Sequence, residues 1–288
     1  MTSFPTKLPG IAAFLAFLAL PAGAAEPQRI VSIGGAVTEI LYAIGEGDRI
    51  AAVDTTSLYP PEATAHPNVG YIRALSAEGV LSLSPDMILI EQGAGPKEAV
   101  AIIDQAGVPA VHVPAGHDAD ALAEKVRTVA AAVGKGAEGE KLAATITADL
   151  AALKTDLGKV GKRQRVLFIL SMADGRPMAA GTGSAADSII RLAGADNVLS
   201  DMQGYKALSW EAAAALQPDV VLMMDRGGEA HDAAGAFALP ALSETPAGRN
   251  KALIKMDALY LLGFGPRTPA AARELASKLY PELALAKP

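Results

Sequence analysis

The sequence predicts an α/β fold: two Rossmann-like lobes with mostly parallel sheets, joined by a long bridging α-helix, with a ligand cleft between the lobes. Three observations carry this prediction. First, one segment occurs twice. Ser76-Ala77-Glu78 leads into Leu83-Ser84-Pro85-Asp86-Met87-Ile88-Leu89, and Ser209-Trp210-Glu211 leads into Leu216-Gln217-Pro218-Asp219-Val220-Val221-Leu222, at one constant offset. Each copy reads as a short helix with an exposed Glu, a Pro-Asp turn and a buried strand. A Gly-Tyr pair precedes each, Gly70-Tyr71 and Gly204-Tyr205. Solenoid repeats recur every ~20–50 residues, so a single recurrence half a chain away means two related lobes. A cleft between lobes is a preferred ligand site. Second, strand-like apolar runs alternate with helical patterns, the signature of a doubly wound parallel sheet. Third, an alanine-rich stretch of helical periodicity separates the two halves.

The elements follow in order. Arg29-Ile30-Val31-Ser32-Ile33 is a buried strand closed by Gly34-Gly35, and Thr38 to Gly45 is a helix ending at a glycine stop. Ile50 to Val53 and Met87 to Ile90 are strands. Val100 to Ala106 continues a helix that ends at Gly107, before the strand Ala110 to Val113. Leu122, Val126 and Val129, then Leu142, Ile146 and Leu150, stand at helical spacing. Gly134 to Gly139 interrupts them, so one helix runs to Val133 and a longer one from Ala137 to Leu157. That long helix is a stiff spacer that limits hinging. The second lobe restarts at Arg165 to Leu170, and Asp187 to Gly194 echoes the first helix. Thr268-Pro269 opens the last helix, with a threonine suited to cap it and a proline suited to its first turn.

The first residues are expected to be removed. Lys7, the apolar stretch Ile11 to Leu20 and the small-residue site Ala22-Gly23-Ala24 make a secretory signal peptide, cleaved after Ala24 or Ala25. The apolar stretch is too short for a bilayer span, which takes about 20 residues. The expected divisions are 1–24 signal peptide, 25–135 first lobe, 136–160 bridging helix and 161–288 second lobe.

The chain has no cysteine. An exported chain of this kind has no disulfide framework and no Cys to carry an amino-terminal lipid, so a soluble periplasmic protein of a Gram-negative bacterium is expected. The formal charge is −6, with no basic run interleaved with aromatics, which argues against nucleic acid. An anionic ligand needs local Arg or Lys against that global charge.

The segment richest in chemistry is Val69-Gly70-Tyr71-Ile72-Arg73-Ala74-Leu75-Ser76. An arginine two residues after a tyrosine places a positive charge near a phenol, which favours phenolate. Phenolate suits ferric iron, and tyrosine is a known haem ligand. The tripeptide alone fits better a surface tyrosine stacked on its neighbouring arginine.

The wider sequence narrows this. Asp54-Thr55-Thr56-Ser57-Leu58-Tyr59-Pro60-Pro61-Glu62-Ala63 followed by Val69 to Gly79 resembles the periplasmic haem-binding proteins of bacterial haem-uptake ABC transporters. The resemblance takes in Gly34-Gly35-Ala36-Val37-Thr38-Glu39, Ala185 to Gly194 and Gly263-Phe264-Gly265-Pro266-Arg267, and so covers nearly the whole chain after the signal. It implies a ferric haem b sandwiched between the lobes and ligated by Tyr71, with Arg73 bonded to the phenolate oxygen. It also implies that Glu78 and Glu211, one per lobe, dock onto arginines of the transporter's permease dimer, which works with a cytoplasmic ATPase. Two equivalent carboxylates on pseudo-symmetric lobes suit a two-fold partner, although the residues alone read as well as solvated helix charges.

Some relatives carry a histidine ligand after the serine of the second lobe's first strand. Here the strand reads Phe168-Ile169-Leu170-Ser171-Met172, and Met172 is better suited to an apolar wall than to pairing with a phenolate-ligated ferric centre. Arg226, past the strand Val220 to Met224, is a candidate for a propionate, or for an ion pair with Asp225 or Glu229. His231 is a candidate cleft residue. His66 is expected at the surface, His112 buried in its strand, and His117 at the start of the next helix. Gly181-Thr182-Gly183-Ser184 before a helix has the form of an anion-binding turn. The expectation is a monomeric binding protein without catalytic turnover, because no nucleophile–base pair assembles. The alternatives are cobalamin or a ferric siderophore as cargo, a secreted α/β enzyme, and a zinc or manganese importer subunit with only four scattered histidines to support it.

Overall fold

The computed structural model describes residues 26–173, 176–225, 237 and 240–285; the predicted signal peptide, Arg226 and His231 lie outside the described residues. The first lobe runs β1 (Ile30–Ile33), α1 (Gly35–Ala43), β2 (Ile50–Val53), α2 (Ala77–Leu81), β3 (Met87–Glu91), α3 (Lys97–Gln105), β4 (Ala110–Val113) and α4 (Ala119–Ala132). Its four strands form one wholly parallel sheet in the order β2-β1-β3-β4. Parallel sheets are covered on both faces, and β1 shows how. Ile30 points to a cluster with Ile40 and Leu41 of α1 and Leu122, Val126 and Val129 of α4. Val31 and Ile33 point the other way, to Val80 of α2 and Ile103 of α3. Burying each such side chain contributes about 1.5–3 kcal/mol.

α5 (Gly136–Leu157) then joins the lobes. Its Ala143, Ile146 and Leu150 pack into the first lobe's core, and its Leu153 and Leu157 into the second's. The apolar stripe of one helix thus belongs to two cores, which is what makes it a bridge.

The second lobe runs β5 (Arg165–Ala173), β6 (Arg176–Ala180), α6 (Ala185–Leu192), β7 (Asp196–Asn197), β8 (Tyr205–Ala207), α7 (Trp210–Ala215), β9 (Val220–Asp225), α8 (Pro240–Ser243), α9 (Pro246–Arg249), β10 (Leu253–Asp257), α10 (Ala258–Leu262) and α11 (Thr268–Leu279). The sheet order is β10-β9-β5-β6-β8, with β7 paired to the start of β5. β10, β9 and β5 are parallel, while β6 and β8 add an antiparallel edge. Phe168 faces α6, α10 and α11, and Leu167 and Ile169 face α7, α8 and α9.

The internal repeat is physical. Ser76 and Ser209 cap α2 and α7 by accepting from Gly79 N and Ala212 N, at 3.2 and 3.1 Å. Ser84 and Gln217 adopt the same left-handed backbone, φ 48° and 46°. Asp86 accepts from Arg29 N and Asp219 from Arg165 N, and each arginine returns a bond to the carbonyl of Leu83 or Leu216.

Several expectations are corrected. α1 begins at Gly35, three residues before the expected Thr38, because the Gly34 and Gly35 amides are held by Asp54 and Thr56 rather than closing a strand. Thr268 does not cap the last helix; it lies inside the first turn and donates to Gly265 O at 2.8 Å. His112 is exposed, not buried, because β4 is an edge strand, and its Nε2 stands 2.9 Å from Asp104 Oδ1. His66 is half-buried, with Nε2 2.9 Å from Tyr42 Oη.

Candidate functional site

In parallel sheets, the loops that follow the strands gather at one edge, where ligands collect. In the first lobe these loops are the turn at Gly34-Gly35, Asp54 to Tyr59, Gly70 to Leu75, Gln92 to Pro96 and Pro114 to His117. The segment Asp54–Tyr59 is fixed by a buried polar network. Asp54 accepts from Gly34 N at 2.9 Å, Ser57 Oγ at 3.0 Å and Thr56 Oγ1 at 2.8 Å. Thr38 Oγ1 bridges Ser57 Oγ and Ser32 Oγ, both at 2.7 Å. The Gly-Gly-Ala-Val-Thr and Asp-Thr-Thr-Ser motifs are therefore two halves of one lock. Buried polar groups that are fully satisfied rigidify a structure. Here the rigid loop carries Leu58 and Tyr59 outward, 58% and 44% exposed.

Tyr71 stands on the next loop, 48% exposed. Its backbone is tied on both sides: Thr55 N donates to Gly70 O at 2.9 Å, Gly95 N to Ile72 O at 2.9 Å and Leu75 N to Gly95 O at 2.8 Å. Arg73 is exposed. Among the described residues it bonds neither Tyr71 nor any carboxylate.

Tyr205 belongs to the second Gly-Tyr pair, to which the sequence reading gave no role. The loop before it is strapped to Gly181-Thr182: Gly181 N donates to Gly204 O at 2.8 Å and Thr182 N to Met202 O at 2.7 Å. A Cβ on Gly181 would meet Met202 O at 1.8 Å, so only glycine admits this approach. The amides read as an anion-binding turn are thus spent on positioning Tyr205. Tyr205 is 39% exposed. Burial pushes its phenol up, against the opposing influence of the Ala186 backbone, Ser184 and, least, the charge of Arg73.

The base of the cleft is charged and braced. Arg267 reaches from the second lobe to Glu39 on α1, and its guanidinium lies 3.6 Å over the Tyr59 ring and 5.1 Å from that of Tyr260. Lys125, 1% exposed on α4, donates to Glu91 Oε1 at 2.6 Å and to Phe264 O at 3.2 Å. Gly265 lies so close to α1 that a Cβ would stand 3.1 Å from Glu39 Oε2 and 3.4 Å from Ala36 Cα. His117 meets Phe264 edge-on at 4.8 Å, and Asp118 beside it caps α4 by accepting from Ala121 N at 2.8 Å. Burial, then the nearby Lys125 charge, holds the His117 imidazole below its ordinary value, against the opposing pull of Asp118.

Met172 lies in β5 opposite Pro177 of β6. Glu78 and Glu211 are both exposed in the first turns of α2 and α7. The Glu211 carboxyl is held below its usual range by its own amide and by Ser209. Among the described residues no three His, Cys, Asp or Glu gather as a metal site, and no helix is long and apolar enough to cross a membrane.

Comparison with known proteins agrees with this architecture. A family model described as "Periplasmic binding protein" matches residues 30–260. The structure is similar to that of the periplasmic heme-binding protein BhuT in complex with two hemes. The two are 39% identical, with 88% of this chain and 98% of that one covered and a TM-score of 0.84. It is equally similar to the periplasmic heme-binding protein RhuT from Roseiflexus sp. RS-1 in apo form, at 40% identity, 89% and 99% coverage and a TM-score of 0.84. A vitamin B12-binding protein of Vibrio parahaemolyticus is 26% identical over 243 residues, 84% of this chain and 85% of that one.

Proposed function

This chain belongs to the periplasmic binding protein family, and we propose that it binds ferric haem b in the interlobe cleft and delivers it, as a periplasmic monomer, to an inner-membrane ABC importer. The observation that carries the reading is Tyr71: an exposed phenol on a loop pinned at both ends, at the sheet edge where ligands gather, with Arg73, exposed and bonded to no carboxylate among the described residues, two positions on. As phenolate, Tyr71 binds the ferric iron of the cargo. Arg73 favours the phenolate by its charge and attracts an anionic ligand to a negatively charged protein. Leu58 and Tyr59 supply apolar surface for the macrocycle. Glu78 and Glu211 dock onto basic residues of the permease dimer, whose ATPase drives import. The chain binds without turnover, as its family does. The similarity to heme-binding proteins at 39 and 40% identity supports haem over other cargo.

The vitamin B12-binding relatives support a second reading, cobalamin in the same cleft. A titration of the mature protein and of Tyr71→Ala with ferric haem, followed optically, decides between the two. Saturable one-to-one binding with a tyrosinate-type high-spin spectrum, lost in the variant, establishes cargo and ligand together. Saturable binding unchanged in the variant keeps haem and moves the iron ligand. Absence of saturable haem binding, with saturable cobalamin binding, replaces the cargo.

A further inference from the structure

We propose that Arg267 is a positioning residue for ligand binding. From the second lobe it fixes the ring of Tyr59, which is a stacking platform for the flat conjugated macrocycle, while Arg267 itself touches no ligand. The proposal rests on the haem reading above and deepens it, because it names what holds the platform still.

Tyr59 stands where a platform is needed. It lies on the loop that follows β2, at the carboxyl edge of the parallel sheet, and is 44% exposed. The loop before it is locked by Asp54, Thr56 and Ser57 together with Thr38. The side-chain bonds of that lock stop at Ser57, so they fix where the Tyr59 backbone sits and leave its ring to be held by something else. The group against the ring is Arg267, whose guanidinium carbon stands 3.6 Å from the ring centre. A cation over an aromatic face is attracted by the ring quadrupole. The contact covers one face of the ring and leaves the rest of an exposed side chain to a ligand.

Arg267 is itself immobilised at both ends. Its Nε and Nη2 stand 3.0 and 2.5 Å from the two carboxylate oxygens of Glu39, and its guanidinium lies 5.1 Å from the centre of the Tyr260 ring. With two nitrogens spent on Glu39, it acts through the ring it covers. Its backbone follows the turn Gly263-Phe264-Gly265-Pro266. Lys125 donates to Phe264 O at 3.2 Å, and Gly265 lies against α1. Phe264 keeps φ 49°, a left-handed value that a bulky residue holds only when its surroundings impose it. A strained turn tied to the opposite lobe thus delivers one cation to one ring. A ring ordered before the ligand arrives spares the entropy that a free side chain loses on binding, a factor of roughly twofold to tenfold in affinity.

The test is a thermodynamic cycle on the mature protein, titrated optically with ferric haem. Its four forms are wild type, Tyr59→Leu, the pair Glu39→Gln/Arg267→Met, which strands no charge, and the triple variant. Thermal unfolding first establishes that each is folded at the temperature of titration. Tyr59→Leu is expected to weaken haem about tenfold, and the pair variant roughly threefold. Both are expected to keep the wild-type spectrum of bound haem, because the iron ligand is untouched. The triple variant is expected to bind no more weakly than Tyr59→Leu alone. A pair variant that costs as much without the Tyr59 ring as with it shows that Arg267 acts on the spacing of the lobes, and overturns the proposal. So does a pair variant that binds like wild type. Tyr59→Leu alters an exposed position and decides the platform by itself should the pair variant not fold; affinity equal to wild type removes the platform and Arg267's role with it. A wild type that binds no ferric haem takes down the haem reading, an outcome distinct from all of these.

Discussion

Arg267 grips Glu39 from the other lobe: its Nε stands 3.0 Å from Oε2 and its Nη2 2.5 Å from Oε1, between residues 228 positions apart. The Glu39 side chain is 10% exposed and that of Arg267 26%. Neutralising one partner of such a pair strands the other charge out of water, which costs 3–5 kcal/mol when both are fully buried. For this partly open pair, Glu39→Gln is expected to cost about 2 kcal/mol and lower Tm by roughly 4–8 °C in thermal unfolding. The double variant Glu39→Gln/Arg267→Met is expected to recover part of the loss, because no unpaired charge remains. Additive losses in the double variant would show that the two residues are not coupled.

His117 makes stability depend on pH. Its folded pKa is lowered from 6.5 by burial and by Lys125. The unfolded chain then binds the proton more readily, so the stability contributed by neutral His117 is present above about 6.5 and is lost as pH falls through the folded value. Urea midpoints are expected to drop between pH 7.5 and 5, and His117→Gln is expected to flatten that drop. An identical slope in the variant assigns the pH dependence to other groups.

Glu78 and Glu211 are expected to matter for docking alone. Charge reversal to Lys at either leaves ferric haem binding within about twofold of wild type, since both side chains are exposed surface charges. In reconstituted vesicles holding the importer, uptake is expected to fall with each single reversal and to vanish with both, through slower and less salt-sensitive association. Full uptake by the double reversal would remove these carboxylates from the interface.

Ser84 and Gln217 hold left-handed backbone at equivalent places in the two lobes. That conformation costs an L-residue about 1–2 kcal/mol, offset partly by the entropy glycine loses on folding. Ser84→Gly and Gln217→Gly are each expected to stabilise by about 0.5–1 kcal/mol in denaturant titrations. Opposite signs at the two positions would show that the repeat no longer shares its local energetics.

The parts of the fold legible in the sequence are those set by short-range pattern. The strands of the first sheet, the long α5 and the paired Pro-Asp turns each announce themselves within about ten residues, where periodicity and turn chemistry operate. The antiparallel edge β6 and β8 was not readable, because Pro177, Gly181 and the polar Tyr205-Lys206 break any alternating run. The first helix begins early because Asp54 and Thr56, two loops away, hold its glycine amides. At the candidate site, the exposed loop that carries Tyr71 was marked by its neighbours in the chain. Glu39, Lys125, Arg267 and Tyr205 act through partners far off in sequence, and a single sequence does not say which carboxylate an arginine will find.

The braces of Arg267 on Glu39 and Lys125 on Phe264, together with a helix shared by two cores, hold the lobes at one separation before any cargo arrives. Such a receptor loses none of its affinity to a closing motion, because its binding-competent form is already the populated one. If Glu78 and Glu211 dock as proposed, an empty receptor presents the importer with nearly the same pair of carboxylates as a full one. Loaded and unloaded copies therefore compete for one docking place, and an excess of empty protein is expected to inhibit uptake rather than help it.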